Sequence, residues 1–220
     1  MATVFSPAAA CTAAHQGTRP CRSTRQRWSA SPTDSRRGPR SVKTFTSNPD
    51  PDAPPYQVAA SKALYELRIY GAYYVTRAGY SNREQGLASL MGYVEGGNER
   101  GTVFPATQPL IMRYADSESG DGEFEKTMEL SLGANVTDPP APTTPGVCVA
   151  AAGGELVAVI GFEGIATPEL ALKYRAALTS AVESDGLTLA NENEFRLATH
   201  GQLYSLKPRL NELMIQVKLA

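Results

Sequence analysis

The chain is written twice over. From Leu64 onward an order of strand, strand, helix, strand, strand occurs and then recurs, and this doubling restricts the fold more than any other feature. In the first copy Leu64–Tyr70 alternates in period two, and Tyr73–Ala78 follows across Gly71, as half-buried strands do. Ser81-Asn82 offers a capping side chain, and Leu87, Leu90, Met91 and Val94 then fall at i, i+3, i+4 and i+7, the apolar stripe of a helix. Gly96-Gly97-Asn98 ends it with residues that tolerate positive φ. Leu110–Tyr114 and Phe124–Leu130 read as strands on either side of an acidic turn, and residues 133–146 read as a connector. The second copy opens with Val147–Ala151 and Glu155–Phe162, which read as a hairpin around Gly153-Gly154. Thr167-Pro168-Glu169 starts the second helix with a capping hydroxyl, a proline at the first helical position and an early acid. Leu170, Tyr174, Leu178 and Ala181/Val182 form its stripe, Gly186 stops it, and Glu194–Thr199 and Leu213–Leu219 read as closing strands.

Neither copy buries a sheet face alone, so the pattern predicts one pseudo-twofold α+β domain. Its expected form is a twisted, mostly antiparallel sheet, a distorted barrel, carrying two long helices. A cleft on the sheet surface outside the helices is the default ligand site.

Ahead of the repeats the charge changes sign. The net charge of −1 hides a division. Residues 1–45 hold eight Lys/Arg and one acid, Asp34, whereas the rest holds 13 basic and 21 acidic residues. Residues 1–45 are rich in Ala, Ser, Thr, Arg and Pro and contain no apolar core of the secretory kind, so they read as a disordered plastid transit peptide. Residues 46–58 read as a Pro/Asp linker, and 59–220 as the domain. An acidic body argues against a nucleic-acid binder, and no apolar run is long enough for a transmembrane helix. Beyond the leader one cysteine (Cys148) and one histidine (His200) remain, too few for an internal disulfide or a Cys/His zinc site.

Catalytic signatures are missing as well. The sequence has no Gly-x-Gly-x-x-Gly, Walker loop, Gly-x-Ser-x-Gly or His-Glu-x-x-His. Glu192 and Glu194 read as solvated loop charge, and nothing in the sequence pairs the strand acids Glu66 and Glu129. No residue is expected to be catalytic or to ligate a metal, and the chain is not expected to be an enzyme.

Several pieces stand in order along the body: Pro55-Tyr56-Gln57-Val58, Tyr65-Glu66-Leu67-Arg68-Ile69-Tyr70, Leu90-Met91-Gly92-Tyr93-Val94-Glu95-Gly96-Gly97-Asn98, Thr107-Gln108-Pro109-Leu110, Pro139-Pro140-Ala141-Pro142, Val157–Gly164 and Pro208-Arg209-Leu210-Asn211-Glu212. Together they resemble the SOUL haem-binding protein family over residues 55–220, as a plastid-targeted member. The resemblance implies the same two-copy fold. It also implies non-catalytic binding of haem or free porphyrins in an apolar cleft beside the first helix, as a tetrapyrrole carrier, buffer or sensor.

A porphyrin is an apolar disc with two propionates, so its site needs apolar faces and a cation at the rim. The first helix offers Leu87, Leu90, Met91 and Val94, with Tyr93 off the main stripe. The same spacing also serves plain core packing. Met91 stands at the family's pocket methionine. Where some members carry a propionate-binding Arg this chain has Glu84, so either Arg83 beside it substitutes or the propionates face water. His200 reads as a surface or structural residue, and no strong axial ligand is expected. Arg100 and Arg113 read as solvated, Cys148 as a buried strand residue, and Arg209, Asn211 and Glu212 as ties between a turn and the last strand. Tyr70, Tyr73, Tyr74 and Tyr80 are expected to pack the sheet with their hydroxyls at the surface. Two other readings compete. One is an interaction protein docking an enzyme of tetrapyrrole metabolism or a plastid lipid-droplet surface. The other is a hydrolase using Glu66 or Glu129.

Overall fold

The computed structural model describes residues 53–117, 124–201 and 209–219. The leader expected over 1–45 lies outside these. Ten strands and two helices follow one another in chain order: β1 (Tyr56–Ser61), β2 (Glu66–Tyr70), β3 (Tyr73–Gly79), α1 (Arg83–Val94), β4 (Leu110–Asp116), β5 (Phe124–Ser131), β6 (Val147–Ala152), β7 (Glu155–Glu163), α2 (Pro168–Ser184), β8 (Leu187–Leu189), β9 (Glu194–His200) and β10 (Leu210–Leu219). β1 begins at Tyr56, so the last three residues read as linker belong to the sheet.

All pairings are antiparallel, in the order β1-β2-β7-β10-β9-β4-β5-β3-β6, with β8 added to β10. The order from β2 to β6 is a palindrome of the two copies. β4 meets β9 at the centre, β5 and β10 flank them, and β3 and β7 come next. The outer positions are exchanged, because β2 of the first copy pairs with β7 and β6 of the second pairs with β3. The hairpin expected around Gly153-Gly154 therefore does not form. The chain does reverse there, with both glycines at positive φ (79° and 69°), but into a strand of the other copy. The two reversals cross in contact: Gly154 N–H donates to Tyr70 O at 2.9 Å, and a Cβ on Gly153 would lie 1.9 Å from Gly71 O. β2 and β3 stand near opposite ends of the sheet order with two residues between them. The sheet must therefore curl until its edges approach, which makes a distorted barrel.

Both helices start as the local chemistry requires. The Asn82 side chain accepts from Glu84 N–H at 2.8 Å and Gln85 N–H at 3.3 Å. Thr167 accepts from Leu170 N–H at 3.3 Å ahead of Pro168. They pack on the outer face of the sheet, where Leu90, Tyr93, Val94, Leu178 and Val182 meet Met112, Met128, Ile160, Phe195, Leu213 and Ile215. Burying each such side chain contributes about 1.5–3 kcal/mol. The inner face carries a second cluster: Tyr70, Tyr73, Val75, Ile111, Val157, Val159, Ala198 and Met214.

Candidate functional site

The helix residues separate into two groups. Leu90 and Tyr93 have no exposed surface and Val94 is 2% exposed, so these three lie in the core between α1 and the sheet. Leu87 and Met91, four residues apart and hence one turn apart, are half-buried and pack on that core from its shoulder. Arg83 and Glu84, a turn earlier, are exposed. The shoulder thus presents an aliphatic and a thioether side chain, with one cation and one anion at its N-terminal end.

The motif that ends α1 holds that helix in place. Tyr93 Oη donates to Pro140 O at 2.7 Å, and its ring stacks on Phe104 at 5.7 Å. Asn98 is buried; its amide donates to Tyr93 O and Thr102 O, and its carbonyl oxygen accepts from Arg100 and Thr102 N–H. Gly97 lies so close that a Cβ would be 2.6 Å from Gly92 O. Glu99 N–H to Ala141 O (3.0 Å) and Thr143 N–H to Gly97 O (3.1 Å) join this loop to the 139–143 segment. The Tyr-Val-x-Gly-Gly-Asn and Pro-x-Pro pieces therefore form one unit that anchors the end of the helix.

The inner face holds what the sequence did not disclose. Charged residues that alternate with apolar ones along the strands point into the barrel, and there they must be paired. Arg68, 3% exposed, lies between Glu66 and Glu212: its Nη2 is 2.9 Å from Glu66 Oε2 and 2.8 Å from Glu212 Oε1. Tyr56 covers the guanidinium, with its ring centroid 4.4 Å away. His200 Nε2 lies 3.0 Å from Glu212 Oε2. Burial pushes the Glu212 carboxyl up, but the His200 hydrogen bond and Arg68 outweigh it and hold it down at about 2. Burial also opposes the charge on Arg68, and Glu212 more than offsets this, so the guanidinium is held charged.

A second set runs through Arg77, Glu129, Arg113, Glu194, Arg196 and Glu155. Three expectations are corrected here, for Arg113, for Glu194 and for the hydroxyls of Tyr70 and Tyr73. Arg113 is not a solvated cation but bonds Glu129 and Glu194 in a half-buried position. Glu194 is not loop charge but a β9 residue in that network. Glu66 and Glu129 are both paired with arginines. The hydroxyls of Tyr70 and Tyr73 are not at the surface: both rings are buried, and burial, with Glu212 for Tyr70 and Glu129 for Tyr73, pushes their ionisation up. Arg100 is exposed, as expected, and pairs with Asp138 at 2.7 Å. Asn211 does tie a turn to β10, since its amide donates to Gly164 O at 2.9 Å. Glu212, by contrast, faces the barrel interior. Strand-borne charges at alternate positions were the available signal, but the same alternation marks a sheet face open to water.

Among the described residues no group of three His, Cys, Asp or Glu could hold a metal ion. No described helix is long and apolar enough to cross a membrane.

The family model described as SOUL heme-binding protein matches residues 51–216. The chain belongs to this SOUL haem-binding family, which is a family of binding proteins. The sequence has no match among curated proteins. Among solved structures, the chain is similar in fold to a hydrolase from Listeria innocua (TM-score 0.52, 14% identity, covering 73% of this chain and 94% of that one). It is likewise similar to the EcmrR C-terminal domain (TM-score 0.51, 15% identity, 75% and 99% covered). A third is an uncharacterized conserved protein from Listeria innocua (TM-score 0.53, 12% identity, 72% and 94% covered). At these identities the likeness concerns the fold alone.

Proposed function

We propose that this chain binds haem or a free porphyrin without catalysing a reaction, as a tetrapyrrole carrier, buffer or sensor in the plastid. The observation that carries this reading is the SOUL family match across residues 51–216. The half-buried shoulder of Leu87 and Met91 supplies the apolar contact that a porphyrin face needs, and a thioether adapts to such a surface. Leu90, Tyr93 and Val94 back that shoulder from the core, and Arg83 meets a propionate at the rim. The basic, acid-poor leader supports the plastid reading.

His200 is committed to Glu212, so iron ligation by it is not part of the proposal. The disc is held by contact, and haem and metal-free protoporphyrin should bind alike. Titration of the full chain with each, followed in the Soret band, tests this. Saturation with both, at least tenfold weakened in Met91→Ala and unchanged in His200→Ala, is expected. Loss of haem alone in His200→Ala would replace contact with ligation. No saturation with either would overturn the binding reading and favour the interaction protein, for which exposed Glu84 beside the shoulder already speaks. Import of a fusion of residues 1–58 to a reporter into isolated plastids tests the location.

A further inference from the structure

The sequence carries five methionines, and those beyond Met1 divide into two kinds. Met112, Met128 and Met214 are strand residues, 2%, 0% and 2% exposed. Met112 Sδ also accepts from Tyr114 Oη at 3.8 Å. Of the described methionines only Met91 is half-buried, and it sits on the shoulder of α1.

The helix leaves its thioether open on one flank. A helical side chain leans toward the N-terminus and lies over the residues three and four positions earlier, which here are Ala88 and Leu87. Leu87 packs on the core side. On the other side Ala88 is exposed and offers a single methyl, and Gly92 adds no side chain: a Cβ there would meet nothing within 4 Å. Glu95, one turn further on, is exposed.

A thioether in that position is a nucleophile toward a hydroperoxide. Its lone pair attacks one oxygen of hydrogen peroxide, the O–O bond breaks, and the proton on the transferred oxygen passes to the departing hydroxide. Methionine and peroxide become methionine sulfoxide and water; the sulfur loses two electrons and the peroxide gains them. We propose that Met91 is an oxidation site, at which a hydroperoxide turns the shoulder from apolar to polar and loosens its hold on a porphyrin. The second half of this rests on the porphyrin reading of the same shoulder. A sulfoxide oxygen accepts hydrogen bonds from water, and the apolar face of the disc offers it no donor in exchange.

The test treats the full chain with hydrogen peroxide and maps sulfoxides by peptide mass spectrometry, with no porphyrin present. Met91 should oxidise at least tenfold faster than Met112, Met128 and Met214. The oxidised chain is then titrated with metal-free protoporphyrin, which has no iron for a sulfoxide to ligate. Affinity should fall at least tenfold and return after treatment with methionine sulfoxide reductases. Met91→Leu keeps Met1 and all three cysteines. Whatever its own affinity, peroxide should change it less than twofold. Oxidation of Met91 no faster than of the buried three, a Met91 sulfoxide that leaves affinity unchanged, or an equal response in Met91→Leu would overturn the proposal. No saturation in the untreated chain would overturn the porphyrin reading and the loosening with it, while the peptide map alone decides the oxidation site.

Discussion

The two faces of this sheet are made by the same alternation and solve different problems. The outer face meets the helices with apolar side chains throughout its centre, from Met112 and Met128 to Leu213 and Ile215. The inner face closes on itself and mixes Val75, Val157 and Val159 with Glu66, Arg68, Glu129, Arg196 and Glu212. Apolar burial is non-directional and tolerates small errors of position. Buried charge does not: each guanidinium needs its carboxylate at hydrogen-bond distance. The outer face should therefore supply most of the stability, whereas the inner face sets which strands may neighbour one another. Arg68, for example, reaches from β2 to Glu212 on β10 across β7.

The sharpest way to break this contrast is to remove one anchor from each face. Arg68→Ala leaves Glu66 and Glu212 buried without their cation, and a loss of about 3–5 kcal/mol is expected in urea unfolding. Adding Glu66→Gln and Glu212→Gln to it should restore a good part of that loss, because the cost comes from the orphaned charges. Leu178→Ala on the outer face, where Leu178 has no exposed surface, should cost about 2–5 kcal/mol with no such rescue. Equal rescue in both backgrounds would remove the distinction between the faces.

Acid sharpens it further. The Glu212 carboxyl lies at about 2 in the fold against an ordinary 4.5. A depressed carboxylate stabilises the fold above its unfolded value, and that contribution is lost as pH falls from about 4.5 toward 2. The loss is on the order of 3 kcal/mol. Glu212→Gln should flatten the pH dependence of unfolding between pH 5 and 3, and Leu178→Ala should shift the whole curve without changing its slope. A slope unchanged in Glu212→Gln would place the acid sensitivity elsewhere.

The same contrast explains what could be read from the sequence. The outer face was legible because Leu170, Tyr174, Leu178 and Val182 keep a helical period, and the strands keep a period of two. The α+β class and the doubling follow from that. The strand exchange was not legible, because a glycine reversal such as Gly153-Gly154 has the same local chemistry whether the next strand pairs with the previous one or with β2, which lies more than 80 residues earlier. Nor were the inner charges, since Arg113 and Glu194 alternate with apolar neighbours as they would on a wet surface. At the candidate site, period alone put Leu87, Leu90, Met91 and Val94 in one stripe. Only the packing shows that Leu87 and Met91 reach its edge while Leu90 and Val94 do not.

The smallest effect separates support from contact at that edge. Tyr93 sits under the shoulder, and its hydroxyl serves the buried Pro140 carbonyl at 2.7 Å. Tyr93→Phe keeps the ring that stacks on Phe104 and leaves that carbonyl without its donor, a loss of about 1–3 kcal/mol. If Tyr93 acts as support, porphyrin affinity should change less than twofold in the folded variant, whereas Met91→Ala, with little effect on stability, should lose at least tenfold. Equal losses of affinity in the two variants would mean that the ligand enters beneath the shoulder, between α1 and the 139–143 segment. The fixed helix end described above would then have to open, and hydrogen exchange at Tyr93 and Asn98 should rise on binding rather than fall.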